Sequence, residues 1–347
     1  MMKLKKITIL IILSFLGHNY VYASDVVEIN SNSIEVGGDR YKITFCDNFN
    51  DKSTFEKYWD HRATGKRREA YNVTDLVELS EGNLILKTEK QGNKIRTSMI
   101  GTQETFYQKY GYFVINAKLQ KTDGNWSAFW LQSPTIGAVK DDLVESGAEI
   151  DVFEKFSTVN KRIRHNIHWN GYQEHHENQP MDTYIDESID LVNEFHTYGL
   201  RWTPKSYEFY IDGKLVQKTT KAISHKEQYM IISLEVGNKE KSFIDKHDQF
   251  SDEILVDYVK VYQEESILQA KLDDSSEIII PDEQIPLGFT MIRQDAIALE
   301  ELVERDVTIA NRKLGLNNRI ILVLILTFLL AFYILCYKNK YANYYKT

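Results

Sequence analysis

Residues 25–263 predict an all-β domain, an antiparallel sandwich or barrel. The first observation behind this is a series of short segments rich in Ile, Val, Tyr and Phe. The second is the turn signal that separates each of them from the next. The third is a composition of 43% apolar and 27% charged residues over 347 positions, ordinary for globular chains, which leaves apolar surface enough for a sizeable core.

Ahead of the strands, MMKLKK is followed by the apolar run ITILIILSFL and then by VYAS. A basic head, a short apolar stretch and small residues before a cleavage point predict a signal peptide over residues 1–23, cut after Ala23. The alternative is a buried N-terminal strand or an uncleaved anchor.

The strands then follow in order as RYKITF, GNLILKTE, YGYFVINAKL, GNWSAFWLQ, EIDVFE, RIRHNIHW, HTYGLRWT, YEFYIDGK, YMIISLEV and EILVDYVKVY. In GNWSAFW, period-2 alternation puts Trp126, Ala128 and Trp130 on one face. In RIRHNIHW, Arg164, Asn166 and His168 share a face. In EILVDYVKVY, Ile254, Val256, Tyr258 and Lys260 oppose Leu255, Asp257, Val259 and Val261. Neither of those faces is purely polar, so that strand is expected to be covered on both sides.

After residue 263 the character changes. Residues 264–288 are acidic and poor in strand signals, which reads as a linker. Residues 290–313 lack Gly and Pro and repeat apolar positions at helical spacing, from Ile292 and Ala296 to Leu302 and Val307; a stalk helix is expected, within a linker and stalk over 264–318. The run from Ile320 to Tyr337 carries no charge. As a helix it would be about 27 Å long, close to the hydrocarbon thickness, and predicts a transmembrane helix over 319–337 with a short cytoplasmic tail over 338–347. With the signal peptide, this places the domain on the outer side of a membrane, periplasmic or at the cell surface.

The net charge of −8 comes without a basic stripe, which argues against a nucleic-acid partner. Only Cys46 and Cys336 are available for a disulfide, and the second lies in the transmembrane run, so the fold must hold by core burial.

The chemistry concentrates in GAEIDVFEKF, where Glu149, Asp151 and Glu154 fall within six positions. Alternation sends Glu149 and Asp151 to one face and Glu154 to the other. A bulge at Val152 or Phe153 would shift the register by one and bring all three acids together. Like charges so close should not all ionise near neutrality, which suits acid/base work or metal binding. No calcium-loop or zinc spacing is present, and two carboxyl groups suffice for glycoside hydrolysis.

EIDVFE resembles the bulged active-site strand of glycoside hydrolase family 16, in its laminarinase and β-glucanase branch. FCDNF, GNWSAFWLQ, FHTYGLRWTP with FYIDG, and VDYVKVYQ resemble further strands of that family in the same order, so the likeness extends over most of residues 41–263. It implies a β-jelly-roll with a concave cleft over residues 24–263, and a retaining mechanism on β-linked polysaccharides. Carried onto this sequence, Glu149 would be the nucleophile, Glu154 the general acid/base, and Asp151 the acid between them that orients the nucleophile. Trp126 and Trp130 would be platforms for sugar rings, with Asn166 and His168 as further substrate contacts; Glu69 and Tyr71 are candidates for holding hydroxyls.

Where the family often reads YGYFEARVK this chain reads YGYFVINAK, so Val114 and Asn116 replace an ion pair or a substrate contact. The family's structural calcium would have Asp257 as a candidate ligand, but no cofactor and no metal is expected here. Asn72 and Asn125 head glycosylation sequons, and a glycan on Asn125 would crowd the cleft, so that site is expected to be unused. The expected function is a membrane-anchored endo-acting hydrolase of β-1,3 or mixed β-1,3/1,4 glucans. The alternatives are a transglycosylase, a hydrolase of another polysaccharide such as a galactan or exopolysaccharide, and a non-catalytic sugar-binding module.

Overall fold

A computed structural model describes Val27, residues 32–156 and residues 161–276. The expected signal peptide, most of the linker, the stalk helix and the transmembrane run lie outside those residues. Among the described residues no helix is long and apolar enough to cross a membrane.

The domain is an antiparallel β-sandwich. In the outer layer, the long strand Ser251–Glu264 pairs along one edge first with Asn83–Gln91 and then with Asp39–Asp47. Its other edge holds Gly111–Lys118, and beyond that strand lie His196–Trp202, Tyr207–Ile211 and Lys214–Thr219. The inner layer runs from Tyr229–Glu235 through Trp126–Gln132 and Glu149–Lys155 to Arg162–Trp169, with the short strands Glu177–Asn178 and Met181–Tyr184 at its far side. One strand, Lys94–Gly101, serves both layers: its first residues pair with Glu89–Gln91 and its last with Ile231–Leu234. Among the described residues the exception to antiparallel pairing is the brief contact of Tyr71 and Asn72 with Arg96 and Thr97.

Between the layers lies one apolar core. Phe113, Ile115 and Ala117 from the outer layer meet Phe129, Leu131, Ile150, Val152, Phe153, Ile163 and Ile167 from the inner one, all essentially without solvent contact. Each buried side chain of this size contributes roughly 1.5–3 kcal/mol, so the core carries the fold without a disulfide. Cys46 is a free, exposed thiol.

The closing strand departs from simple alternation. Its register shifts between Val256 and Tyr258, and the extra residue, Asp257, is a bulge. Ile254 and Val256 before it and Val259 and Val261 after it therefore enter the same core, where unbroken alternation had put them on opposite faces. Asp257 accepts a hydrogen bond from Asn116 Nδ2 at 2.9 Å. The outer face of this layer is covered in part by a smaller cluster in which Ile34 and Val36 pack with Tyr41, Tyr112, Val114, Tyr210 and Tyr262. After Glu264 the chain enters a helix, Glu265–Ser276, at the point where a linker was expected.

Candidate active site

The acid-bearing strand Glu149–Lys155 lies at the centre of the inner layer, and its pairing contains the irregularity raised for Val152 or Phe153. Against its neighbour on one side, Asp151 faces Trp130 and Phe153 faces Phe129, so Val152 is the extra residue. On the other side Asp151 faces Asn166 and Glu154 faces Arg164, which leaves Val152 and Phe153 opposite His165 alone. Both bulge side chains point into the core with no solvent exposure. Glu149, Asp151 and Glu154 consequently line one cavity of about 790 Å³.

The bulge leaves the carbonyl of Val152 without a ladder partner. His165 Nδ1–H donates to it at 2.6 Å, and Nε2 lies 3.2 Å from the Thr183 hydroxyl. Burial holds the His165 imidazole at about pKa 4, so it stays neutral and keeps this donor–acceptor pattern at working pH.

At one end of the acid row, Tyr172 donates its hydroxyl proton to Glu149 Oε2, and Gln132 Nε2 approaches the same oxygen at 3.3 Å. Gln132 Oε1 accepts from Arg62 Nη2 at 2.6 Å and from the Tyr229 hydroxyl. The loop that carries Tyr172 is fixed by backbone contact. Gly137 and Gly171 both have left-handed φ, at 80° and 78°, and a Cβ on Gly137 would lie 2.6 Å from the Gly171 Cα. Asn170 and Asp141 add a pair of hydrogen bonds of 2.8 Å each.

In the middle, Asp151 Oδ2 is buried without a conventional donor and lies 3.2 Å from His168 Nε2. That nitrogen also faces Asn166 Nδ2 at 2.9 Å, while His168 Nδ1 meets His176 Nε2 at 2.8 Å. With the Asn166 amide donating to Nε2, the imidazole proton sits on Nδ1 and faces His176, so His168 gives no hydrogen bond to Asp151. Burial and the neighbouring Glu149 push the Asp151 carboxyl well above the ordinary range, which favours its neutral form. Glu149, Asp151 and His168 also form a group of donor atoms within 4.8 Å of one another that could hold a cation.

At the other end, Trp126 Nε1–H donates to Glu154 Oε1 at 3.0 Å. Burial raises the Glu154 carboxyl well above its ordinary value, with Asp151 and Glu149 adding to the effect and Arg164 opposing it. Glu149 is also raised by burial, but His168 and the Tyr172 hydrogen bond pull it back down. The two glutamates thus differ in a useful way. Glu149 is surrounded by donors suited to a carboxylate, and Glu154 sits where a carboxylic acid persists.

The sequence profile of glycosyl hydrolases family 16 matches residues 65–242. The chain belongs to this family. Among its curated relatives, the endo-1,3-1,4-beta-glycanase ExsH of Rhizobium meliloti is 28% identical over 182 residues, which cover 51% of this chain and 35% of that one. The glucan endo-1,3-beta-glucosidase A1 of Niallia circulans is 26% identical over 218 residues, covering 56% and 32%. The chain therefore spans about a third of the length of these relatives. The endo-beta-1,3-glucanase of Pyrococcus furiosus shares the fold, with a TM-score of 0.57 at 22% identity over 68% of this chain and 99% of that one.

Within this family 16 domain, the cavity also receives Trp126, Trp130, Asn166 and His168. The two tryptophans are not the open platforms that alternation suggested. Phe156 stacks on Trp126 at 4.8 Å between centroids and the Arg68 guanidinium sits 4.3 Å from the ring, so protein groups already cover it; its indole N–H is what faces the acids. Trp130 is 7% exposed, donates to Ser233 Oγ at 3.1 Å and packs with Met99, Ala128, Tyr229 and Ile231. It is floor as much as contact surface. Glu69 and Tyr71 lie outside the cavity lining, where Arg67 and Arg68 stand instead.

Val114 belongs to the cluster on the outer face, far from the acids in the fold, so its departure from the family pattern touches no cleft contact. Asn72 and Asn125 are buried, and Asn125 donates to Asp252 Oδ2 at 3.1 Å; neither sequon is presented by the folded domain. Four participants had no signal in the sequence: Gln132, His165, Tyr172 and Glu235. Glu235 is 4% exposed and accepts from Arg67 Nη2 at 2.9 Å and Arg68 Nε at 2.5 Å.

Proposed function

We propose that this chain is a retaining endo-hydrolase of β-1,3 or mixed β-1,3/1,4 glucans. The observation that carries the proposal is the bulged strand, which sets Glu149 and Glu154 on one cavity wall in opposed electrostatic surroundings. The substrate class rests on the relatives named for β-1,3 and β-1,3-1,4 glucan cleavage.

In this mechanism the Glu149 carboxylate attacks the anomeric carbon while Glu154 gives its proton to the departing glycosidic oxygen. The bond from carbon to that oxygen breaks, and an ester to Glu149 forms. Esterification removes the charge of Glu149, so Glu154, now a carboxylate, accepts a proton from water as the water attacks the same carbon. Burial and the charge of Glu149 favour the neutral form of Asp151, which lessens a third negative charge beside the nucleophile. A non-catalytic sugar-binding module would gain nothing from acids buried against one another.

Incubating the full chain with laminarin and with mixed-linkage glucan, and following the anomer released, tests the proposal. Oligosaccharides appearing first as the β-anomer are expected. Release of the α-anomer, or no cleavage of either glucan, would sink it.

Trp126→Phe offers a finer test of the acid. The indole N–H stabilises the charged form of Glu154, so its loss should raise that pKa and move the alkaline limb of the kcat/KM profile upward. The acid limb, set by Glu149, should stay in place. A uniform fall in activity with both limbs unmoved would mean that Trp126 acts on substrate rather than on Glu154.

Attachment to a membrane with the domain outside is part of the same proposal, supported by the apolar runs at residues 7–16 and 320–337. Protease treatment of cells whose outer envelope has been removed and whose inner membrane is sealed should degrade the domain, whereas full protection until that membrane is lysed would contradict the orientation.

A further inference from the structure

The protein carries a net charge of −8, yet one wall of its cleft is cationic. The lining contains Arg62, Lys66, Arg67, Arg68 and Arg164 against Glu149, Asp151, Glu154 and Glu235. Two of those acids, Asp151 and Glu154, are buried beside Glu149, which favours their neutral forms over a full set of negative charges. Arg164 is answered from outside the lining by Asp182 at 2.9 Å. Glu235 answers Arg67 and Arg68 together, one charge for two.

Arg62 and Lys66 have no carboxylate partner among the described residues. Arg62 donates to neutral Gln132 and Tyr229, and Lys66 is exposed, with its ammonium 5.5 Å from the ring of Tyr71. The segment bearing these groups is anchored rather than loose. Arg62 N–H bonds to Met99 O at 3.0 Å at one end, and Glu69 N–H to Val236 O at 3.2 Å at the other.

Neither folding nor tuning of the nucleophile accounts for this excess. Lys66 contributes little packing, and Arg62 reaches Glu149 only through the neutral amide of Gln132. A neutral glucan offers hydroxyls, which need no unpaired guanidinium. A carboxylate or sulfate group does, because its charge is matched only by an opposite one when water is displaced.

We infer that the cleft takes a β-glucan-type chain bearing an anionic substituent, held by Arg62 and Lys66 with the uncompensated charge of the Arg67–Arg68 pair. This rests on the proposed glucan cleavage and narrows its substrate class. The net negative charge of the rest of the protein would repel such a polymer elsewhere and leave the cleft as its point of attachment.

The test compares the full chain on carboxymethylated, sulfated and hydroxyethylated β-1,3-glucans of equal length and degree of substitution, the last being an uncharged control. At low ionic strength kcat/KM on the charged forms should exceed the control by about tenfold, and the excess should shrink as salt screens it. A higher rate on the carboxymethylated than on the sulfated polymer assigns the natural group as carboxylate, and the reverse order assigns sulfate. Lys66→Gln should lower the charged-to-uncharged ratio by roughly threefold, and Arg62→Gln with Lys66→Gln by more. Equal rates on charged and uncharged polymers, or a ratio untouched by both variants, would overturn the inference while leaving glucan cleavage standing. Calorimetry on Glu149→Gln, which reads binding alone, separates the converse case. Preferential binding of the charged polymers by that variant, with no cleavage by wild type, would keep the inference and remove the hydrolase.

Discussion

Glu149→Ala is expected to lose activity on polysaccharide by a factor on the order of 10⁴ or more, since the covalent route has no substitute nucleophile. The domain should still fold. Gln132 Nε2 and the Tyr172 hydroxyl already approach each other and can remain paired when the carboxylate is gone. Loss of a negative charge beside Asp151 and Glu154 should leave the melting temperature unchanged or slightly raised. With an activated β-glycoside and added azide, the small anion can enter the space left by the carboxylate and attack the anomeric carbon directly. The product should be the α-glycosyl azide, formed with a single inversion. Near-native activity in this variant would remove Glu149 from the mechanism.

Glu154→Ala should behave differently, because it removes the acid and base but not the nucleophile. On polysaccharide, whose leaving group needs a proton, kcat/KM should fall by about 10² to 10⁴. On a substrate with a good leaving group the first step should survive, and the ester on Glu149 should accumulate for want of a base. Azide needs no base, so it should speed turnover and give the β-glycosyl azide by two inversions. An α-azide from this variant, or the absence of any accumulated ester, would show that the roles of the two glutamates have been misassigned.

The legibility of this site in the sequence had a physical limit. Three acids at positions 149, 151 and 154 break period-2 alternation, so chemistry that needs them together requires an inserted residue; spacing offered the bulge as a possibility, and the resemblance of EIDVFE to a bulged strand favoured it. The group that completes the bulge was not. Alternation sets His165 on the face opposite Arg164, Asn166 and His168, but nothing in RIRHNIHW shows that its ring would meet the Val152 carbonyl of the neighbouring strand. Gln132 faces Glu149 across the strand pair, but Tyr172 arrives on a loop that touches another through Gly137 and Gly171, a contact no local pattern announces.

Trp126 illustrates the converse. Alternation placed its side chain on the correct face, but could not reveal that Phe156 and Arg68 would cover the ring. In the closing strand, the bulge at Asp257 went unseen because Ile254, Val256, Val259 and Val261 are apolar on either side of it, so no polar residue fell out of register to mark it.

The closing strand has a consequence for how the protein is made. Ser251–Glu264 completes the hydrogen bonding of Asp39–Asp47, Asn83–Gln91 and Gly111–Lys118, three strands synthesised long before it. During translation those strands wait with open edges until residue 264 has left the ribosome, so the layer closes late and through distant pairings, the slow class of β-topology. If the chain is exported as it is made, that interval is spent in transit, and the open strands are shielded from one another until the last partner arrives.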